Sequence, residues 1–203
     1  MWVLVGVRKD ITNRLGIEEN AVLPDWQIVS AEEPLPPASV YVDLSGCFAR
    51  ERPSNTPSDA WWFVHAPGYT LAELPERTIR LNAWPGFAAG KDWEMVWKGP
   101  EAAHVAKEIC HSLQKKPIEV PDQIGLIGAR VLLSIINEAV LLWGEGSASK
   151  QDIDLAMKLG TNYPFGPFEW GEKIGWKEAY SILKRLAETD ARYEPAPAWE
   201  TVV

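Results

Sequence analysis

Histidine and cysteine are scarce in this 203-residue chain, which has three of the first and two of the second. Cys47 and Cys110 have neither metal-like nor redox-like spacing, so they read as two buried free thiols in a reducing compartment. His104, Glu108 and His111 share the outer face of one predicted helix, but two turns separate the histidines and no further ligand is suggested. A solvated helix face is the reading, and no metal is expected. Positive charge is also in deficit: 20 Lys and Arg stand against 28 Asp and Glu. The shortfall holds on both sides of the chain, 12 against 15 up to residue 117 and 8 against 13 beyond it. Neither nucleic acid nor an anionic membrane is therefore an expected partner, since both need a basic footprint. Long apolar runs are missing: residues 1–7 are too few for a signal peptide or a membrane span, and a soluble cytoplasmic protein is expected. A glycine-rich phosphate turn is missing too. Gly-x-Gly-x-x-Gly after a first strand lets backbone approach a pyrophosphate at a helix N-terminus. Here Gly6 stands alone, and Gly86 and Gly90 come too late, so no cofactor-binding residue is assigned.

What is present is a globular composition, 46% hydrophobic and 24% charged, with eleven scattered tryptophans that read as core bulk. Short runs rich in Val, Ile, Trp and Tyr predict strands at residues 2–7, 26–30, 39–44, 60–65, 78–83 and 93–98. Proline-rich stretches at 33–38 and 52–58 read as surface loops. Pro100 opens a helix whose Ala102, Val105, Ala106, Ile109, Cys110 and Leu113 repeat at helical spacing, with Lys115 and Lys116 at its C-terminal end. Residues 117–121 read as an extended connector. Beyond them the periodicity becomes helical: an apolar stripe through Ile127, Val131, Ile135 and Leu142, then Ser149 with Asp152 as a capping box for a second helix stopped by Gly160. A third helix runs through Trp176, Ala179, Leu183 and Leu186. The expected architecture is an α/β domain over 1–117 followed by an all-α domain over 118–203.

Asn137-Glu138-Ala139, Glu145-Gly146, Asp152 to Met157, Gly160, Asn162-Tyr163-Pro164, Gly166-Pro167-Phe168 and Gly175 follow one another in an order and spacing that resembles the C-terminal domain of 3-hydroxyacyl-CoA dehydrogenases. The tyrosine-proline-phenylalanine-glycine-proline segment suits a tight, non-helical apolar loop. The resemblance extends backward more loosely through residues 70–85 and 93–96. It implies a truncated Rossmann-like N-terminal domain, followed by a helical domain of the kind that dimerises in this family.

In that family a histidine exchanges the hydroxyl proton while a glutamate orients it, and NAD takes the hydride. By this resemblance the histidine position is Asn82 and the glutamate is Glu94; the helix-borne active-site asparagine falls at Ala129. An amide is no general base near neutrality, and with its histidine partner gone Glu94 reads as a polar residue on an alternating strand rather than as a dyad member. His65 lies near the family's site-lining strand end, as a replacement base or as a strand-end histidine bonded to backbone. The expectation is a family member without turnover, needing no cofactor, that acts as a binding or assembly module. Its expected partners are a second copy of itself, and acyl-CoA or a partner enzyme. The alternatives are an active NAD-dependent 3-hydroxyacyl-CoA oxidoreductase of fatty-acid metabolism with an atypical site, and a dimerisation protein that binds no acyl-CoA.

Overall fold

The computed structural model describes residues 1–6, 8–18 and 23–203, and the chain divides into two compact units, Met1–Leu126 and Ile127–Val203. In the first unit the aromatic and β-branched runs become β1 (Trp2–Val5), β2 (Trp26–Val29), β3 (Val40–Asp43), β4 (Trp61–His65), β5 (Thr78–Leu81) and β6 (Asp92–Val96). Each is somewhat shorter than the run that predicts it; Val7, the end of the first expected run, lies outside the described residues. A seventh strand, β7 (Lys116–Glu119), occupies part of the stretch read as a connector. It pairs with β6, which is why the first unit continues to Leu126 rather than ending near residue 117. Pro117 is tolerated because this strand lies at the sheet edge.

The seven strands lie in the order β2-β1-β3-β4-β5-β6-β7, all neighbours parallel except β5 and β6. The segment 2-1-3-4-5 is a doubly wound order whose switch point falls between β1 and β3. One face is covered by two helices, α1 (Arg8–Leu15) and α2 (Gly99–Ser112): Ile11 and Leu15 from the first and Ala102, Ala106, Ile109 and Cys110 from the second pack against Leu4, Val42 and Phe63. The opposite face buries Val3, Val5, Tyr41, Trp62 and Val64 beneath loop residues such as Leu35, Ala49 and Leu74. Among the described residues no α-helix joins that second cluster. The proline-rich loops read from the sequence do a helix layer's work there, with Asn55 Nδ2 donating to Leu35 O at 2.8 Å. Cys47 is exposed, contrary to expectation, because it sits in the loop after β3; Cys110 is buried, and burial pushes its thiol up to about 12.

The second unit is built from α3 (Gly128–Gly144), α4 (Lys150–Thr161), α5 (Pro167–Ile174) and α6 (Trp176–Ala187), followed by two short 3-10 segments, Ala191–Tyr193 and Pro197–Thr201. Ser149 caps α4 by accepting from Asp152 N at 3.1 Å, as its spacing predicts. The helix does not stop at Gly160 but one residue later, where Asn162 takes the left-handed cap at φ 55°. The expected non-helical segment ends at Gly166, because Pro167 suits the first turn of α5. Asp154, buried one turn into α4, accepts from Phe168 N at 2.8 Å and Glu169 N at 3.2 Å, two orphan donors of that first turn. Gly166 is demanded here: a Cβ at this position would lie 2.3 Å from the Asp154 carboxylate. Asn137 ties down the C-terminal segment, donating to Glu194 O at 2.9 Å and accepting from Ala196 N at 2.9 Å and Trp199 Nε1 at 2.6 Å. Among the described residues, no helix is long and apolar enough to cross a membrane.

Asn137→Ala should cost the second unit on the order of 2–3 kcal/mol, because it orphans the Ala196 amide and the buried Trp199 indole together. Urea denaturation with limited proteolysis checks this. The expected result is an earlier transition and faster cleavage within residues 190–203; an unchanged midpoint would separate the segment from Asn137.

Candidate functional site at the carboxyl ends of the strands

In an open α/β sheet, ligands bind beyond the carboxyl ends of the strands, beside the switch point. In this chain, the polar groups described there are paired with one another. Asp43 ends β3 fully buried. Its Oδ1 accepts from Ser45 N at 3.0 Å, Ser45 Oγ at 2.5 Å and Gly46 N at 3.0 Å, and its Oδ2 accepts from Phe48 N at 2.8 Å. The loop amides thus converge as an anion-holding nest, and the anion is the chain's own carboxylate. Gly46, at φ 80°, lets this loop cross the end of β4: a Cβ there would lie 2.6 Å from the His65 carbonyl oxygen. From α1, Arg14 Nη1 donates to Leu44 O at 3.0 Å and to Ala83 O at 2.9 Å, tying the loops that follow β3 and β5.

The three residues singled out in the sequence lie on this same edge. His65 ends β4, opposite Leu81 of β5, and is only 5% exposed. Its Nδ1 accepts from Ala83 N at 2.9 Å. A backbone amide can only donate, so the neutral imidazole carries its hydrogen on Nε2 and has already committed its basic lone pair. Asn82, also buried, accepts on Oδ1 from Trp84 N at 3.1 Å and donates from Nδ2 to Glu94 Oε1 at 3.1 Å. Antiparallel pairing of Leu81 with Met95 brings Asn82 and Glu94 into reach across β5 and β6. The pair that the resemblance implies as histidine and glutamate is therefore in contact as amide and carboxylate. Ala129 lies in α3, in the other unit, and is buried.

His104, Glu108 and His111 are all exposed on α2, and the described residues hold no group of three or more side chains suited to a metal ion. Asp43 and Arg14 were not singled out in the sequence. An aspartate at a strand end with serine two residues on and glycine three on is the signal for Asp43. Nothing local marks Arg14, whose two acceptors are 30 and 69 residues away.

Residues 125–203 match the model of the 3-hydroxyacyl-CoA dehydrogenase C-terminal domain. The chain is 41% identical to the 3-hydroxyadipyl-CoA dehydrogenase of Escherichia coli K12 over 192 residues, which cover 91% of this chain and 40% of that protein. It is 39% identical over 92 residues to the 3-hydroxybutyryl-CoA dehydrogenase of Clostridioides difficile, covering 44% of this chain and 33% of the relative. Among solved structures, the (S)-3-hydroxybutyryl-CoA dehydrogenase of Ralstonia eutropha superposes with a TM-score of 0.69 at 17% identity, over 98% of this chain and 92% of that one, a likeness of fold alone. A 3-hydroxybutyryl-CoA dehydrogenase structure from Escherichia coli matches at 29% identity and a TM-score of 0.59, over 69% of this chain and 31% of that one. Residues 125–203 thus belong to the 3-hydroxyacyl-CoA dehydrogenase C-terminal domain family, and the likeness to a dehydrogenase continues along 91% of the chain. The chain spans about 40% of the length of the Escherichia coli relative and a third of the clostridial one.

Asp43→Asn should destabilise the first unit by about 1–3 kcal/mol, since an amide replaces one acceptor oxygen with a donor and leaves at least one loop amide unpaired. Thermal denaturation of the variant beside the parent measures this. An equal midpoint would mean that the nest holds without its carboxylate.

Proposed function

We propose that this chain is a 3-hydroxyacyl-CoA dehydrogenase family module that has given up NAD-dependent turnover and works by binding or assembly. The observation that carries the reading is the internal pairing at the strand ends. The loop amides after β3, at the same sheet edge, are taken by the chain's own Asp43, and a lone Gly6 follows β1, where the glycine-rich phosphate turn would be. Asn82, which the resemblance aligns with the proton-transfer histidine, supports the same reading, because an amide beside Glu94 can orient a substrate oxygen but cannot take its proton. The ligand class that fits is an acyl-CoA or its 3-oxo form, held without hydride transfer. Titration of the full chain with NADH, followed by fluorescence, tests this. No saturable binding in the micromolar range is expected, and acetoacetyl-CoA reduction should stay at background; saturable micromolar binding would refute the reading.

One observation favours an active oxidoreductase instead: 41% identity to a protein named as a dehydrogenase continues along 91% of the chain, through the strand-rich unit as well as the helical one. On that reading His65 is the base, its Nδ1 released from the Ala83 amide to take the proton. Acetoacetyl-CoA turnover that disappears in His65→Ala would establish it.

The same proposal makes the chain a homodimer through its helical unit. Val131 on α3 is 57% exposed, and Leu155 and Leu159, one turn apart on α4, are 52% and 78% exposed. Apolar side chains grouped on helix faces suit a twofold interface, where each copy covers the other's patch. Light scattering should give a mass twice 22.7 kDa, falling to 22.7 kDa in the Leu155→Asp, Leu159→Asp double variant. A parent mass of 22.7 kDa at all concentrations would remove the dimer.

A further inference from the structure

The sequence suggests Lys115 as a cation placed at the C-terminal end of α2, but its side chain does something else. The helix ends at Ser112, and Lys115 closes it with its own amide, which donates to Cys110 O at 2.7 Å. Its Nζ reaches four backbone carbonyl oxygens: Leu15 O at 2.9 Å, Ala88 O at 2.9 Å, Ala89 O at 3.1 Å and Gly90 O at 3.0 Å. An ammonium has only three hydrogens to give, so four oxygens at nearly one distance surround a charge rather than receive separate directed bonds. Three of the oxygens come from consecutive residues that turn their carbonyls the same way. The fourth belongs to the last residue of α1, where the helix leaves unpaired carbonyls and a partial negative charge. The Trp93 ring lies 5.6 Å from Nζ and adds its negative face. Among the described residues, the oxygens around Lys115 Nζ are all backbone carbonyls. Burial pulls the Lys115 ammonium below the usual lysine value, while the four carbonyl oxygens lie within hydrogen-bond distance of its Nζ.

We propose that these four carbonyls form a monovalent-cation site, selective for ions near the size of ammonium or potassium, which the chain fills with its own tethered ammonium. Carbonyl rings of this kind replace an ion's hydration shell in cation-selective filters. Without a cation, four carbonyl dipoles would converge on one point with nothing between them. The site holds together α1, the turn that follows β5 and the segment between α2 and β7. That turn begins beside Asn82, since Trp84 N bonds to Asn82 Oδ1 and Phe87 N and Ala88 N both bond back to Trp84 O. The cation therefore anchors the far end of the loop whose near end is fixed by the candidate site.

Lys115→Ala in the full chain removes the tethered ion and leaves the cage open to an external one. In choline chloride the variant should unfold at a midpoint on the order of 5 °C below the parent. In ammonium or potassium chloride of the same ionic strength it should regain at least half of that loss, saturably with salt. The parent should show the same midpoint in all three salts. A variant midpoint that is unchanged from the parent, or equally lowered in every salt, overturns the proposal. The parent alone provides a second test that survives a variant too unstable to purify. In its ammonium NMR spectrum, one lysine should exchange its Nζ hydrogens about tenfold more slowly than the others. That signal should be missing from Lys115→Arg, and a parent spectrum in which all lysines exchange alike overturns the proposal.

Discussion

Four donors meet on the Asp43 carboxylate, and the loop after β3 takes its shape from that meeting. A buried carboxylate must be compensated by hydrogen bonds or charge. Here three amides and the Ser45 hydroxyl, all within five residues after it, supply the bonds, and the positive charge of Arg52 acts on it as well. The loop is thereby folded down over the end of β4, close enough that residue 46 has no room for a side chain. The groups beside it settle in the same way. His65 accepts from the Ala83 amide, Arg14 donates to the Ala83 and Leu44 carbonyls, and Asn82 accepts from the Trp84 amide while donating to Glu94. The edge of the sheet that an α/β fold ordinarily offers to a ligand is, in the described residues, bonded largely to itself. The reading of this chain as a module without nucleotide turnover grows from that economy of donors and acceptors.

The helical unit shows a different use of motif residues. Asn137, Asp154 and Gly166 carry the family likeness, yet each is occupied with closing the fold. Asp154 supplies acceptors to the start of α5, Gly166 clears the space for it, and Asn137 fixes the last segment of chain. Gly171 belongs with them, since a Cβ there would meet the Trp176 ring at 2.3 Å. Such residues mark a fold faithfully and say little about chemistry, which is why the family can be plain while the activity is a proposal.

Of the elements described, six of the seven strands and four of the six helices are legible in the sequence. The strands declared themselves through Val, Ile and Trp between turn residues, and α2, α3 and α6 through apolar repeats. Helix α1 escaped because Arg8–Leu15 is mostly polar, with Ile11, Thr12 and Leu15 its buried residues among those described. Helix α5 escaped because the prolines and glycine ahead of it look like a loop, although Pro167 is a sound first helical residue. Strand β7 was hidden by Pro117 and by three exposed or half-exposed neighbours, the mark of an edge. At the candidate site, Asn82, Glu94 and His65 were legible through resemblance, and the structure brings them to one edge. The contact between Asn82 and Glu94 depends on the antiparallel register of β5 and β6, which no local pattern announces. The Asp43 nest was legible in principle from the residues that follow it, whereas Arg14 and Lys115 act on carbonyls far away in sequence.

The central claim is that the amides after β3 are already spent on the chain's own carboxylate. Backbone NMR of the full chain measures this directly, by following the amide signals of Ser45, Gly46 and Phe48 while ADP-ribose or NADH is added to millimolar concentration. The account predicts that the three signals stay in place and that their hydrogen exchange remains slow. A saturable shift of all three, with the ligand's phosphates contacting them, would contradict it.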